Sequence, residues 1–165
     1  MRPADDSRKT PRKAGSMTPP NRLATYDHFG QTLIVTLTVN TLSGPDAIEL
    51  VQEITGKLKA EAAHAAEAAQ AAEAAPPPRG PRGPEAPPVP VRHIVLDLQN
   101  VQYMDSGCIG VLVELMTRLQ NAGGRIALVN ADPNVEYLFK LTRLDRLFPI
   151  CRDVMRAIDA VERAA

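Results

Sequence analysis

The sequence predicts an α/β fold in which a mixed, largely parallel β-sheet is covered by α-helices. Short runs of β-branched and apolar residues alternate with stretches whose apolar residues recur at helical spacing, and this alternation is the mark of βαβ units. Capping and turn residues fall between those stretches at the places where helices must start and stop. The chain has 165 residues, of which 44% are hydrophobic, enough to build one compact core.

Taken in order, Gln31 to Val39 reads as a strand, and Arg22 to Phe29 supplies an antiparallel hairpin partner. Ser43, Pro45 and Asp46 then signal a helix start, ahead of Ile48, Val51, Ile54 and Leu58 at helical spacing. A buried strand follows at His93 to Leu98. The next helix carries Leu112, Leu115, Met116 and Leu119 and stops at Asn121-Ala-Gly-Gly124. Arg125 to Val129 is a further strand. Asp132 and Pro133 open a helix bearing Val135, Leu138 and Phe139; Leu147 to Ile150 is read as a short strand, and Val154, Ile158 and Val161 stripe a closing helix.

Two segments stand apart from this pattern. Residues 1–20 hold five basic residues against Asp5 and Asp6 with no apolar periodicity, and read as a disordered tail. Residues 60–90 read as an insert within a single domain spanning 21–165. In its first half Glu61, His64, Glu67, Gln70 and Glu73 are each followed by two alanines. Alanine favours helix, but a period of three drifts against the ~3.6-residue turn, so the expectation is a solvated helical extension without a fixed apolar stripe. From Pro76 to Pro90 eight of fifteen residues are proline, the composition of an extended linker.

Nineteen basic and nineteen acidic side chains cancel, which disfavours a general nucleic-acid or anionic-membrane binder. No run reaches the ~20 apolar residues of a membrane span, and the opening residues lack the apolar core of a secretory signal. A cytoplasmic protein is expected. Cys108 and Cys151 have neither disulfide-framework nor zinc spacing, and His28, His64 and His93 share no ligand spacing, so no metal and no cofactor are predicted.

The segment that carries chemical information runs from Val95 to Leu112. A buried strand leads through a short turn into a helix at Asp105 and Ser106; Asp105 is placed to cap free amides, and Gly107 and Gly110 permit close backbone approach. Asp97, at the end of the buried strand, is read as a structural acceptor for loop amides.

These residues resemble the STAS domains, and among them the bacterial anti-sigma factor antagonists. Val95-Leu96-Asp97-Leu98 resembles the family's strand, Met104-Asp105-Ser106 its turn, and Ile109-Gly110 its Leu-Gly step; Gly123 to Val129 and Leu138 to Phe148 continue the likeness. The resemblance implies the STAS fold and a non-enzymatic switch that binds an anti-sigma factor of the GHKL kinase-like type and releases its sigma factor. It places partner binding on Met104, Asp105, Ser106, Gly107, Cys108, Gly110 and Glu114. The sequence departs from the pattern where phosphorylated members carry a Ser or Thr acceptor, because that position is Gly107, and the glycine after it is Cys108. Ser106 is the remaining nearby hydroxyl, expected to be kept for local hydrogen bonding, and partner binding is expected to be independent of phosphorylation. Cys108 is read as a small buried or half-buried filler, since no His or Lys neighbour that would activate its thiol is evident. Two other functions compete: a STAS scaffold or accessory subunit of a signalling or lipid-transport complex, and a small-anion or nucleotide module built on the Asp105 helix terminus.

Overall fold

The computed structural model describes residues 23–74 and 90–163. The tail expected over 1–20 and all but the last residue of the proline-rich run lie outside them. Strand β1 (Ala24–Phe29) turns through Gly30 and Gln31 into β2 (Thr32–Leu37), its antiparallel partner. β4 (His93–Asp97), β6 (Ile126–Val129) and β7 (Ile150–Cys151) add in parallel, giving a five-stranded sheet in the order β1-β2-β4-β6-β7. The fold is therefore α/β with a mostly parallel sheet. β4 and β6, the inner parallel strands, are buried at every position, as expected where helices pack on both faces.

One face is covered by α1 (Gly44–Ala74) and α2 (Ser106–Asn121). Together with α3 (Pro133–Leu141) they enclose the main core, in which Phe139 and Phe148 meet edge to face with ring centroids 5.6 Å apart. The other face is packed by α4 (Val154–Arg163), whose Ala157, Ile158 and Val161 close over Val95, Ala127 and Val129. The turn after α2 brings Gly124 against β4: a Cβ there would stand 2.0 Å from the Arg92 carbonyl oxygen, so a side chain would force the strands apart.

Three expectations need correction. The buried stripe of α1 is Ala47, Leu50, Val51 and Ile54, whereas Ile48 faces outward, because the start at Gly44 sets a phase that includes the small Ala47. The short strand predicted at Leu147 to Ile150 is confined to Ile150–Cys151; a 3₁₀ turn over Leu144–Arg146 and Pro149, which has no amide hydrogen to offer, postpone sheet pairing. The alanine-rich extension is helical as expected, but it stays on the body of the domain for some way, since Ala65 is buried and Glu61 lies 3.7 Å from His28.

Candidate functional site

The site lies at the C-terminal edge of the parallel strands, where α1 and α2 begin side by side. Two strands absent from the sequence reading make this possible: β3 (Thr41–Leu42) and β5 (Tyr103–Met104) pair in parallel, Thr41 opposite Tyr103 and Leu42 opposite Met104. Each is two residues long, too short for any periodic signal. Their pairing fixes the two helix starts in register, and the Asp105 amide donates to the Leu42 carbonyl at 3.3 Å.

Asp105 then ties the two helices together. Its Oδ1 accepts from the Cys108 amide at 2.7 Å, the N-cap bond of α2, and its Oδ2 accepts from the Gly44 amide at 3.1 Å, at the start of α1. These amides, Cys108 first and Gly44 second, hold the Asp105 carboxyl below its ordinary pKa despite the opposing effect of desolvation. The start of α1 has its own cap: the Ser43 hydroxyl donates to Asp46 Oδ2 at 2.5 Å and accepts from the Asp46 amide at 3.5 Å. An added anion at either terminus would face a carboxylate already in place, which counts against the small-anion module considered on the Asp105 terminus.

The backbones of Gly44 and Gly107 touch. A Cβ on Gly107 would stand 3.3 Å from both Gly44 Cα and Asp105 Oδ1, closer than ordinary contact. Gly110 is different: it is exposed and a Cβ there would meet nothing within 4 Å among the described residues. Ser106 is also exposed, and its hydroxyl makes no hydrogen bond among the described residues, contrary to the expectation that it serves local bonding.

Of the residues placed in the site, Asp105, Ser106, Gly107, Gly110 and Glu114 reach the surface. Met104 and Cys108 do not. Met104, a residue of β5, is only 4% exposed although it contributes to the groove beside Asp105, and Cys108 points from the first turn of α2 into the core. Burial and the nearby carboxylate of Asp105 push the Cys108 thiol up to about 12. Glu114 pairs with Arg118 one turn on, at 2.5 Å. Asp97 behaves as read, accepting from the Gln99 amide at 3.0 Å and the Asn130 side chain at 3.1 Å.

The structure adds a wall that sequence reasoning missed. Beside Asp105 and Ser106 an open groove of about 430 Å³ runs between β5 and α3, with Tyr103, Tyr137, Leu138 and Leu141 along it. Tyr103, Tyr137 and Leu141 are 62%, 66% and 66% exposed, a concentration of bare apolar surface at one place. Tyr137 and Leu141 sit four apart on the outer side of an otherwise amphipathic α3, the one signal in the sequence that points to them.

The model of the STAS domain matches residues 28–157. The chain belongs to the STAS domain family. This STAS domain is 33% identical over 70 residues to the anti-sigma F factor antagonist of Paenibacillus polymyxa, a stretch that covers 42% of the chain and 60% of that protein. It is 36% identical over 70 residues to a Thermotoga maritima protein assigned as an anti-sigma factor antagonist, with 42% and 62% covered. The alignments thus span less than two thirds of either relative. A crystal structure of an anti-sigma factor antagonist from Thermotoga maritima superposes with a TM-score of 0.60 at 22% identity, covering 86% of this chain and 96% of the other. The Bacillus protein SpoIIAA in its phosphorylated form gives 0.52 at 16% identity, covering 83% and 97%. At these identities the superpositions speak for the fold. Among the described residues no helix of this STAS domain is long and apolar enough to cross a membrane.

Proposed function

We propose that this STAS domain is an anti-sigma factor antagonist, a binding protein without catalytic chemistry whose partner is a cytoplasmic anti-sigma factor of the GHKL kinase-like type. The single observation that carries the reading is the surface of the α2 start: exposed Ser106, Gly107 and Gly110 stand beside a groove with three bare apolar side chains, on a backbone locked by Asp105. Glycine inside a helix costs about 1 kcal/mol relative to alanine, and at Gly110 no contact among the described residues asks for it. A partner backbone lying on that turn does. The names of the relatives support the same reading.

The contact is made without a phosphorylation switch at the usual position. Gly107 has no oxygen to accept a phosphoryl group, and a serine there would press on Gly44 and Asp105. Phosphate on Ser106 would add roughly −2 charge next to the Asp105 carboxylate.

Purified anti-sigma factor and this chain, titrated against each other by calorimetry, test the proposal. Tight binding by the wild type that falls steeply in Gly110→Arg, with folding intact, is the expected result. Equal binding by both proteins would remove the α2 start from the interface.

A further inference from the structure

We propose that this STAS domain has a second site, at the N-terminal edge of its parallel strands, that binds a small phosphate monoester. It is on the opposite edge of the sheet from Asp105 and does not rest on the anti-sigma factor reading. Each parallel strand added beyond β2 is approached through an arginine. Arg92 immediately precedes β4, Arg125 immediately precedes β6, and Arg146 closes the 3₁₀ turn ahead of β7. Arg125 and Arg146 line one pocket of about 210 Å³ together with Gln120, and its remaining wall includes Met116, Leu147 and Val161. A neighbouring depression of about 260 Å³ shares Gln120 and Arg125.

Arg118, Lys140, Arg156 and Arg163 each have a carboxylate partner three or four residues away. Arg92, Arg125, Arg143, Arg146 and Arg152 are exposed and have no ion pair among the described residues, and of these Arg125 and Arg146 line one pocket together. Two guanidinium groups around one cavity repel until an anion enters, and their planar forks suit the paired oxygens of a phosphate. The Gln120 amide adds a neutral donor. Met116, Leu147 and Val161 would lie against an organic substituent, which selects a monoester over the free ion. The pocket is a hollow of small-molecule size rather than a flat basic face, which separates it from a membrane or nucleic-acid surface.

The test is an NMR titration of the full chain with phenyl phosphate at constant ionic strength, paired with inorganic phosphate. Saturable shifts confined to the amides of Gln120, Gly123, Gly124, Arg125 and Leu147 are expected, with affinity reduced about tenfold in Arg125→Gln and again in Arg146→Gln, the loss of one charge-assisted hydrogen bond each. Inorganic phosphate should bind more weakly than the ester. Both variants replace exposed side chains, and an unchanged thermal midpoint checks that they fold. Shifts that do not saturate, or affinities unmoved by either substitution, would overturn the site. Equal affinity for ester and free phosphate would overturn the assignment of a monoester.

Discussion

At Cys108, burial and the Asp105 carboxylate act in the same direction, and both keep the thiol protonated with a pKa pushed up to about 12. The outcome to expect is that iodoacetamide at pH 8 leaves Cys108 unmodified in the native protein and modifies it only after denaturation, as peptide mass mapping would show. Gly107 and Gly110, three residues apart in α2, give a second residue-scale prediction. Gly110→Ala fills open space and should raise stability by about 1 kcal/mol in urea unfolding. Gly107→Ala should lower it, because its methyl meets Gly44 and Asp105 at 3.3 Å. If both substitutions stabilise, the contact between the two helix starts is looser than described. Asp105 also has a pH signature. A carboxyl whose folded pKa is depressed stabilises above its unfolded value, ~3.9, and that contribution fades as the pH falls further. Asp105→Asn should flatten the unfolding midpoint in that acid range.

At the scale of elements, α1 combines two functions along its length. Its first half buries Ala47, Leu50, Val51 and Ile54 in the core, and its alanine-rich second half touches the body through Ala65 and Glu61 before leaving it. We propose that residues 66–89 are dispensable as an insert within one domain. Replacing them with a short Gly/Ser linker should preserve a single cooperative thermal transition, since shortening a loop changes closure entropy only slowly; a lost transition would show that the segment packs on the core. Most elements were legible in the sequence because long periodic runs such as Leu112 to Leu119 leave little choice of phase. The phase of α1 was misread because alanine counts weakly in an apolar pattern, so Ala47 was passed over in favour of the larger Ile48. The turn at Asp105 was found through its capping chemistry. Its groove was not, because Tyr103 on β5 and Tyr137 on α3 come from elements far apart in sequence, and a two-residue strand has no local signature. The same limit explains why Met104 was counted among exposed contact residues, whereas Cys108, read as a small buried or half-buried filler, is buried as expected.

For the molecule as a whole, the sheet separates two edges with different character. The Asp105 edge combines carboxylate-capped helix starts with a groove of bare apolar side chains, and at the other edge Arg92 and Arg125 act on a buried histidine. His93 is 4% exposed and its Nδ1 has no hydrogen-bond partner among the described residues. Burial lowers its pKa, Glu162 opposes the shift, and Arg125 and Arg92 reinforce it. A histidine with a folded pKa below its unfolded value of ~6.5 destabilises the fold as the pH falls through that value, because the unfolded chain takes up a proton that the native state refuses. The urea midpoint should therefore be lower at pH 5.5 than at pH 7.5, with the difference reduced in His93→Gln; an unchanged difference would assign the effect to other groups.

On the proposed function, the α2 start and the groove beside it hold an anti-sigma factor. The most direct measurement is quantitative affinity capture from cells that express this chain, with the full-length wild type and the folded Gly110→Arg variant as parallel baits. The wild type should retain an anti-sigma factor that the variant selectively loses. Recovery of the same proteins on both baits, or of no anti-sigma factor on the wild type, would contradict the proposal.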